Sequence, residues 1–183
     1  MRTLKRPLSF VPLIALAAIL LGLPTSVAFG DDDRREFRAR FLGVNETPSV
    51  STEATASLSV RINGSGDTAT IDYTLTFSGL RAAVTQAHIH FGQARVLGGI
   101  MVFLCGTATN PGPAGTPTCP QSGTVSRTLT AADVVGPANQ GIAAGQMGSV
   151  IDAIRAGAAY GNVHSTMFPS GETRAQLVRT DRD

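Results

Sequence analysis

The chain has 183 residues, is 43% hydrophobic and only 5% aromatic, and carries a formal charge of +2. Three of its 15 basic residues (Arg2, Lys5 and Arg6) precede residue 28 and all 13 acidic residues follow it, so the remainder has 12 bases against 13 acids, net −1. With no lysine after Lys5 and no tryptophan, the phosphate tracks and base-stacking platforms of nucleic-acid binders are excluded.

Residues 1–28 read as a secretory signal peptide. Its basic start leads into an apolar run from Phe10 to Leu23, then Pro24, and Ser26-Val27-Ala28 is an A-x-A-like cleavage signal. The run is shorter than the roughly 20 residues a spanning helix needs, and no later stretch is long enough, so the mature chain is expected to have no transmembrane span. A secreted or periplasmic location follows. Residues 29–36 form a polar lead-in around Asp31-Asp32-Asp33-Arg34-Arg35, and residues 179–183 a polar tail. About 150 residues between them make one domain.

That domain alternates. Phe37, Ala39 and Phe41 share one face of a first strand, and Leu58, Val60 and Ile62 share one face of a second, over Thr55 to Ile62. Asn63-Gly64-Ser65-Gly66-Asp67 is a turn, after which Ala69, Ile71, Tyr73, Leu75 and Phe77 occupy every second position; the pair predicts an antiparallel hairpin. A short strand follows over Gln86 to Phe91, then a continuous apolar run over Leu97 to Leu104 and another alternating segment over Gly123 to Leu129. Thr130 and Asp133 are spaced for a capping box, and Met147, Val150, Ile151 and Ile154 fall on one face of a helix between Gly145 and Gly157. Gly161 to Thr166 and Thr173 to Val178 complete the strands. The expected fold is mostly β: an antiparallel β-sandwich or flattened Greek-key barrel of about eight strands with one short helix.

Cys105 and Cys119 are the only cysteines. In an exported chain such a pair reads as a disulfide, here closing a Gly-, Pro- and Thr-rich loop, and the spacing is far from C-x-x-C.

The three histidines fall in two strands. Residues i and i+2 of a strand share a face, so His88 and His90 point one way, and Asn162 and His164 share a face of theirs. If the strands are neighbours, three neutral imidazoles converge on a site suited to copper or zinc. A hydrogen-bonded structural cluster and a non-metal ligand site are the other readings. Beyond the Pro169-Ser170-Gly171 turn, Glu172 and Arg174 share a strand face; they are expected to support the cluster or pair with one another, with a histidine an obvious partner for Glu172. No G-x-S-x-G elbow, H-E-x-x-H motif or calcium loop is present, so no catalytic set is assigned.

These residues resemble the CHRD domain, named from chordin. The match rests on Ala87-His88-Ile89-His90-Phe91-Gly92, on Ala159-Tyr160-Gly161-Asn162-Val163-His164-Ser165, on Pro169 to Leu177, and on Phe41-Leu42-Gly43-Val44-Asn45-Glu46-Thr47-Pro48. It spans residues 37–178. Thr173, where Ile or Leu is common, and the loop between the cysteines depart from the pattern. The resemblance implies a β-sandwich outside the cytoplasm that acts as a non-enzymatic binding or structural module toward an extracytoplasmic partner or small ligand. In chordin the domains belong to an antagonist of growth factors. The His88–His90 strand is also similar to the copper-ligand strand of Cu/Zn superoxide dismutase, with His164 as a third ligand. The bridging histidine and zinc loop of that family have no counterpart, so a dismutase-like oxidoreductase is the remotest reading.

Overall fold

The alternating segments become nine strands and one helix in a computed structural model that describes residues 35–180. The predicted signal peptide, most of the polar lead-in and the last three residues lie outside the described part. The strands are β1 (Glu36–Leu42), β2 (Thr55–Asn63), β3 (Thr70–Ser78), β4 (Val84–Phe91), β5 (Gly99–Cys105), β6 (Gly123–Leu129), β7 (Ala159–Ser165), β8 (Thr173–Gln176) and the two-residue β9 (Val178–Arg179). Helix α1 spans Met147–Arg155.

The nine strands pair antiparallel throughout, in the order β5-β4-β7-β8-β1-β2-β3-β6, with β9 on β1. The predicted hairpin forms, with Ile62 opposite Ile71 and Leu58 opposite Leu75. Strand β6 returns beside β3 after β4 and β5 have gone to the far end, so the sheet curls into a nearly closed eight-stranded barrel. Its seam lies between β5 and β6. There the Tyr73 hydroxyl of β3 donates to the Leu104 carbonyl of β5, and the predicted Cys105–Cys119 disulfide ties the end of β5 to the segment before β6.

The inward residues are those the alternation selects: Phe37, Ala39 and Phe41; Leu58, Val60 and Ile62; Ile71, Tyr73, Leu75 and Phe77; Ala87, Ile89 and Val163. Met147, Val150, Ile151 and Ile154 of α1 are buried as the helical spacing requires, and the Thr130–Asp133 capping box is present. Gly161 is required on β7. A Cβ there would run into the Phe41 ring and meet Leu58 Cδ2 at 3.3 Å, so the barrel interior reaches β7 only because this residue has no side chain.

Strands β2, β4 and β7 differ from expectation by one or two residues at their ends, and two further differences have a structural cause. The run predicted from Leu97 begins at Gly99, because Leu97 (62% exposed) and Gly98 belong to a loop that folds over β4 and β7. The last predicted strand breaks at Leu177, whose side chain is buried and whose N–H donates to the Ala159 carbonyl, and the chain then turns to pair Val178 with Arg38.

Candidate metal centre

Strands β4 and β7 are adjacent, with His88 opposite Asn162 and His90 opposite Tyr160. Their inward residues, Ala87, Ile89, Gly161 and Val163, belong to the barrel core, so His88, His90, Asn162 and His164 stand on the outer face. That face is nonetheless covered, and the three histidines are 2%, 7% and 8% exposed. The loop of residues 92–98, the Glu46 segment after β1 and the turn at residues 169–171 enclose it.

The sequence prediction that the imidazoles gather is met. Ring centroids lie 5.3 Å (His88–His90), 4.8 Å (His88–His164) and 6.2 Å (His90–His164) apart, and one ring nitrogen from each lies within 4.8 Å of the others. The hydrogen bonds decide which nitrogens are available. His90 Nδ1 lies 2.9 Å from the Gly98 carbonyl and His164 Nδ1 2.9 Å from the Pro169 carbonyl. A carbonyl only accepts, so both Nδ1 atoms carry the proton and, in neutral rings, both Nε2 atoms present lone pairs. His90 Nε2 is buried without a hydrogen-bond partner, as is His88 Nε2. His164 Nε2 lies 3.0 Å from His88 Nδ1, which can donate to it, and 2.9 Å from Asn162 Oδ1.

Burial keeps these rings neutral. It pushes His88 down to about 2, with His164 and His90 acting in the same direction. It pushes His90 down to about 4 against the raising effect of the Gly98 carbonyl, and it lowers His164 against that of Pro169. Neutral imidazoles held by a backbone carbonyl on one nitrogen and open on the other are what a metal centre requires of its ligands. An ion about 2.0–2.1 Å from each nitrogen needs nitrogens roughly 3.3–3.6 Å apart, so the rings, whose nitrogens lie within 4.8 Å of one another, have to close in on it.

Of the other expected residues, Asn162 contacts His164 through its Oδ1. Arg174 is close but does not pair with Glu172. Its guanidinium lies 3.4 Å over the Tyr160 ring, and its Nη2 donates to the Val96 and Gln93 carbonyls at 2.8 and 3.1 Å. Tyr160 in turn stacks on His90, centroids 4.8 Å apart and planes within 4°. Glu172 is placed differently from the sequence reading, which gave it a histidine. Its carboxylate accepts from Thr52 Oγ1 (2.7 Å), Ser165 Oγ (2.6 Å) and the Arg81 N–H (2.9 Å). Backbone carbonyls take the role intended for it, because the lid loop and the 169–171 turn reach the rings first. By holding Ser165, Glu172 fixes the turn that carries Pro169.

The carboxyl nearest the cluster is Glu46, which the sequence reading missed. It is 6% exposed, and a Cβ on Gly171 (φ 127°) would collide with its Oε1 and lie 2.8 Å from Asn162 Nδ2. Burial lifts this acid from 4.5 to about 7, opposed by Arg174 and by hydrogen bonds from Thr47 and Asn162. The available signal was its place in the Phe41 to Pro48 segment, one of those that carry the CHRD resemblance. Gly98, Pro169 and Tyr160 act through backbone or stacking, for which residue type gives no warning.

The model of the CHRD domain matches residues 37–177. This chain belongs to the CHRD family. No curated protein and no solved structure gives a significant match. The similarity of the His88–His90 strand to superoxide dismutase is not supported, since the family match is to the CHRD domain alone. Among the described residues of this CHRD protein, no helix is long and apolar enough to cross a membrane.

Proposed function

We propose that this CHRD protein is an exported, non-enzymatic metal-binding module that holds copper or zinc on His88, His90 and His164, with Asn162, Arg174 and Glu172 supporting the cluster. One observation carries the reading: two imidazoles locked by backbone carbonyls direct their Nε2 lone pairs into a buried cluster, in which His90 Nε2 and His88 Nε2 have no hydrogen-bond partner. A buried acceptor without a donor costs about 1–3 kcal/mol, and a cation at the centre removes that cost for several atoms together. The disulfide supports export, because such bonds persist outside reducing compartments. The growth-factor partner of chordin is not carried over, since it would rest on analogy alone.

The test is elemental analysis of the exported chain, purified without chelators or a histidine tag. About one equivalent of copper or zinc is expected, lost in His88→Ala and His164→Ala. Added metal should raise the melting temperature, because a ligand bound only to the native state at 1,000 times its Kd stabilises by about 4 kcal/mol. The hydrogen bond from His88 Nδ1 to His164 Nε2 favours a second reading, a purely structural network. That reading predicts metal-free protein, no response to copper or zinc, and a stability loss in His164→Ala.

A further inference from the structure

The charge around the cluster points to a particular oxidation state. The ligand set is three neutral nitrogens, with no carboxylate or thiolate among them. The carboxylate just before β8 that could have supplied negative charge, Glu172, is turned away and consumed by Thr52, Ser165 and the Arg81 N–H. On the other side, the buried Arg174 cation lies over Tyr160, which lies flat on His90. Even with Glu46 ionised, the carboxylate does no more than balance that guanidinium. A bound cation therefore keeps its whole charge in a desolvated setting, and desolvation cost rises with the square of the charge.

Coordination number points the same way. The histidine nitrogens are enclosed, with His88 Nε2 and His90 Nε2 essentially inaccessible. Zinc takes four ligands, and in catalytic sites the fourth is water. Here the oxygen nearest a ligand nitrogen is the neutral amide Oδ1 of Asn162. A closed-shell monovalent copper ion is content with three nitrogen donors and carries half the charge.

We propose that the His88–His90–His164 centre takes Cu(I) in preference to Zn(II) or Cu(II). This rests on the metal-binding reading above and names the ion that reading leaves open. The experiment is a pair of anaerobic competition titrations of the whole exported chain: Cu(I), kept reduced by ascorbate, against bicinchoninate, and Zn(II) against a chromophoric chelator. A divalent penalty of several kcal/mol corresponds to Cu(I) binding at least about a thousandfold more tightly than Zn(II). One equivalent of Cu(I) should bind, be lost in His90→Ala, and resist oxidation by air longer than free Cu(I). Circular dichroism confirms that the variant is folded, and His164→Ala serves as a second ligand variant. Zn(II) bound as tightly as Cu(I), and weakened by Asn162→Ala, would overturn the proposal in favour of a four-coordinate divalent site while leaving the metal-binding reading intact. Failure of both ions to bind would remove both.

Discussion

Replacing Glu46 with glutamine isolates the electrostatics of the enclosed face. In the folded chain the Glu46 carboxyl holds its proton up to about pH 7, because burial outweighs Arg174, whereas in the unfolded chain it ionises near 4.5. A raised carboxylic pKa gives stability that is present below 4.5 and is lost as pH rises through 7, since over that range the folded state binds more protons. The gap of roughly 2.5 units corresponds to about 3 kcal/mol. In a domain of about 150 residues that is a melting-temperature change of roughly 6–12 °C. The assay is metal-free thermal or urea unfolding of wild type and Glu46→Gln at pH 4.5 and 7.5. The histidines titrate in both proteins, so the difference between the two pH differences reports Glu46 alone. Glu46→Gln should gain about 3 kcal/mol on wild type between these pH values. Parallel pH curves for the two proteins would show that Glu46 is solvated and that the face is not enclosed as described.

Other perturbations address the rings, the core and the seam. Below pH 6.5 the unfolded chain protonates a histidine that folded His90 keeps neutral down to about 4, so metal-free stability should fall by up to about 3 kcal/mol over that range; a smaller acid loss in His90→Gln checks this. Gly161→Ala drives a methyl into the Phe41 ring and should cost about 1–3 kcal/mol by urea unfolding, partly recovered by adding Phe41→Leu. Cys105→Ser with Cys119→Ser opens a loop whose ends are 14 residues apart and should cost about 3 kcal/mol, seen as an unfolding midpoint that no longer responds to reductant.

The strands of this barrel were readable because each is polar on one side and apolar on the other: Phe37 to Phe41 and Ala69 to Phe77 name their inner face by alternation alone. The same parity rule put His88 with His90, and Asn162 with His164, on one face of each strand. Their convergence depended on β4 lying beside β7, a pairing across more than 70 residues that no local pattern encodes. The partners of the rings were harder still. Gly98 and Pro169 contribute carbonyl oxygens, which every residue has, so only the path of the loop reveals them. Glu172 was misread for a related reason: a carboxylate on the same strand face as Arg174 attracts a histidine on paper, but Thr52, Ser165 and the Arg81 N–H already fill its acceptor sites.

Strands β4 and β7 serve two masters. Odd positions from Ala87 to Ile89 and from Gly161 to Val163 fill the barrel, while the even positions between them hold imidazole and amide. Chemistry can therefore be written onto, or erased from, the outer side without disturbing the hydrocarbon that makes the sheet close. A family relative could keep every inward methyl, lose all three rings, and still fold as the same barrel. The closure of the barrel is thus decided on the inside of these two strands, and the chemistry of this chain on their other side.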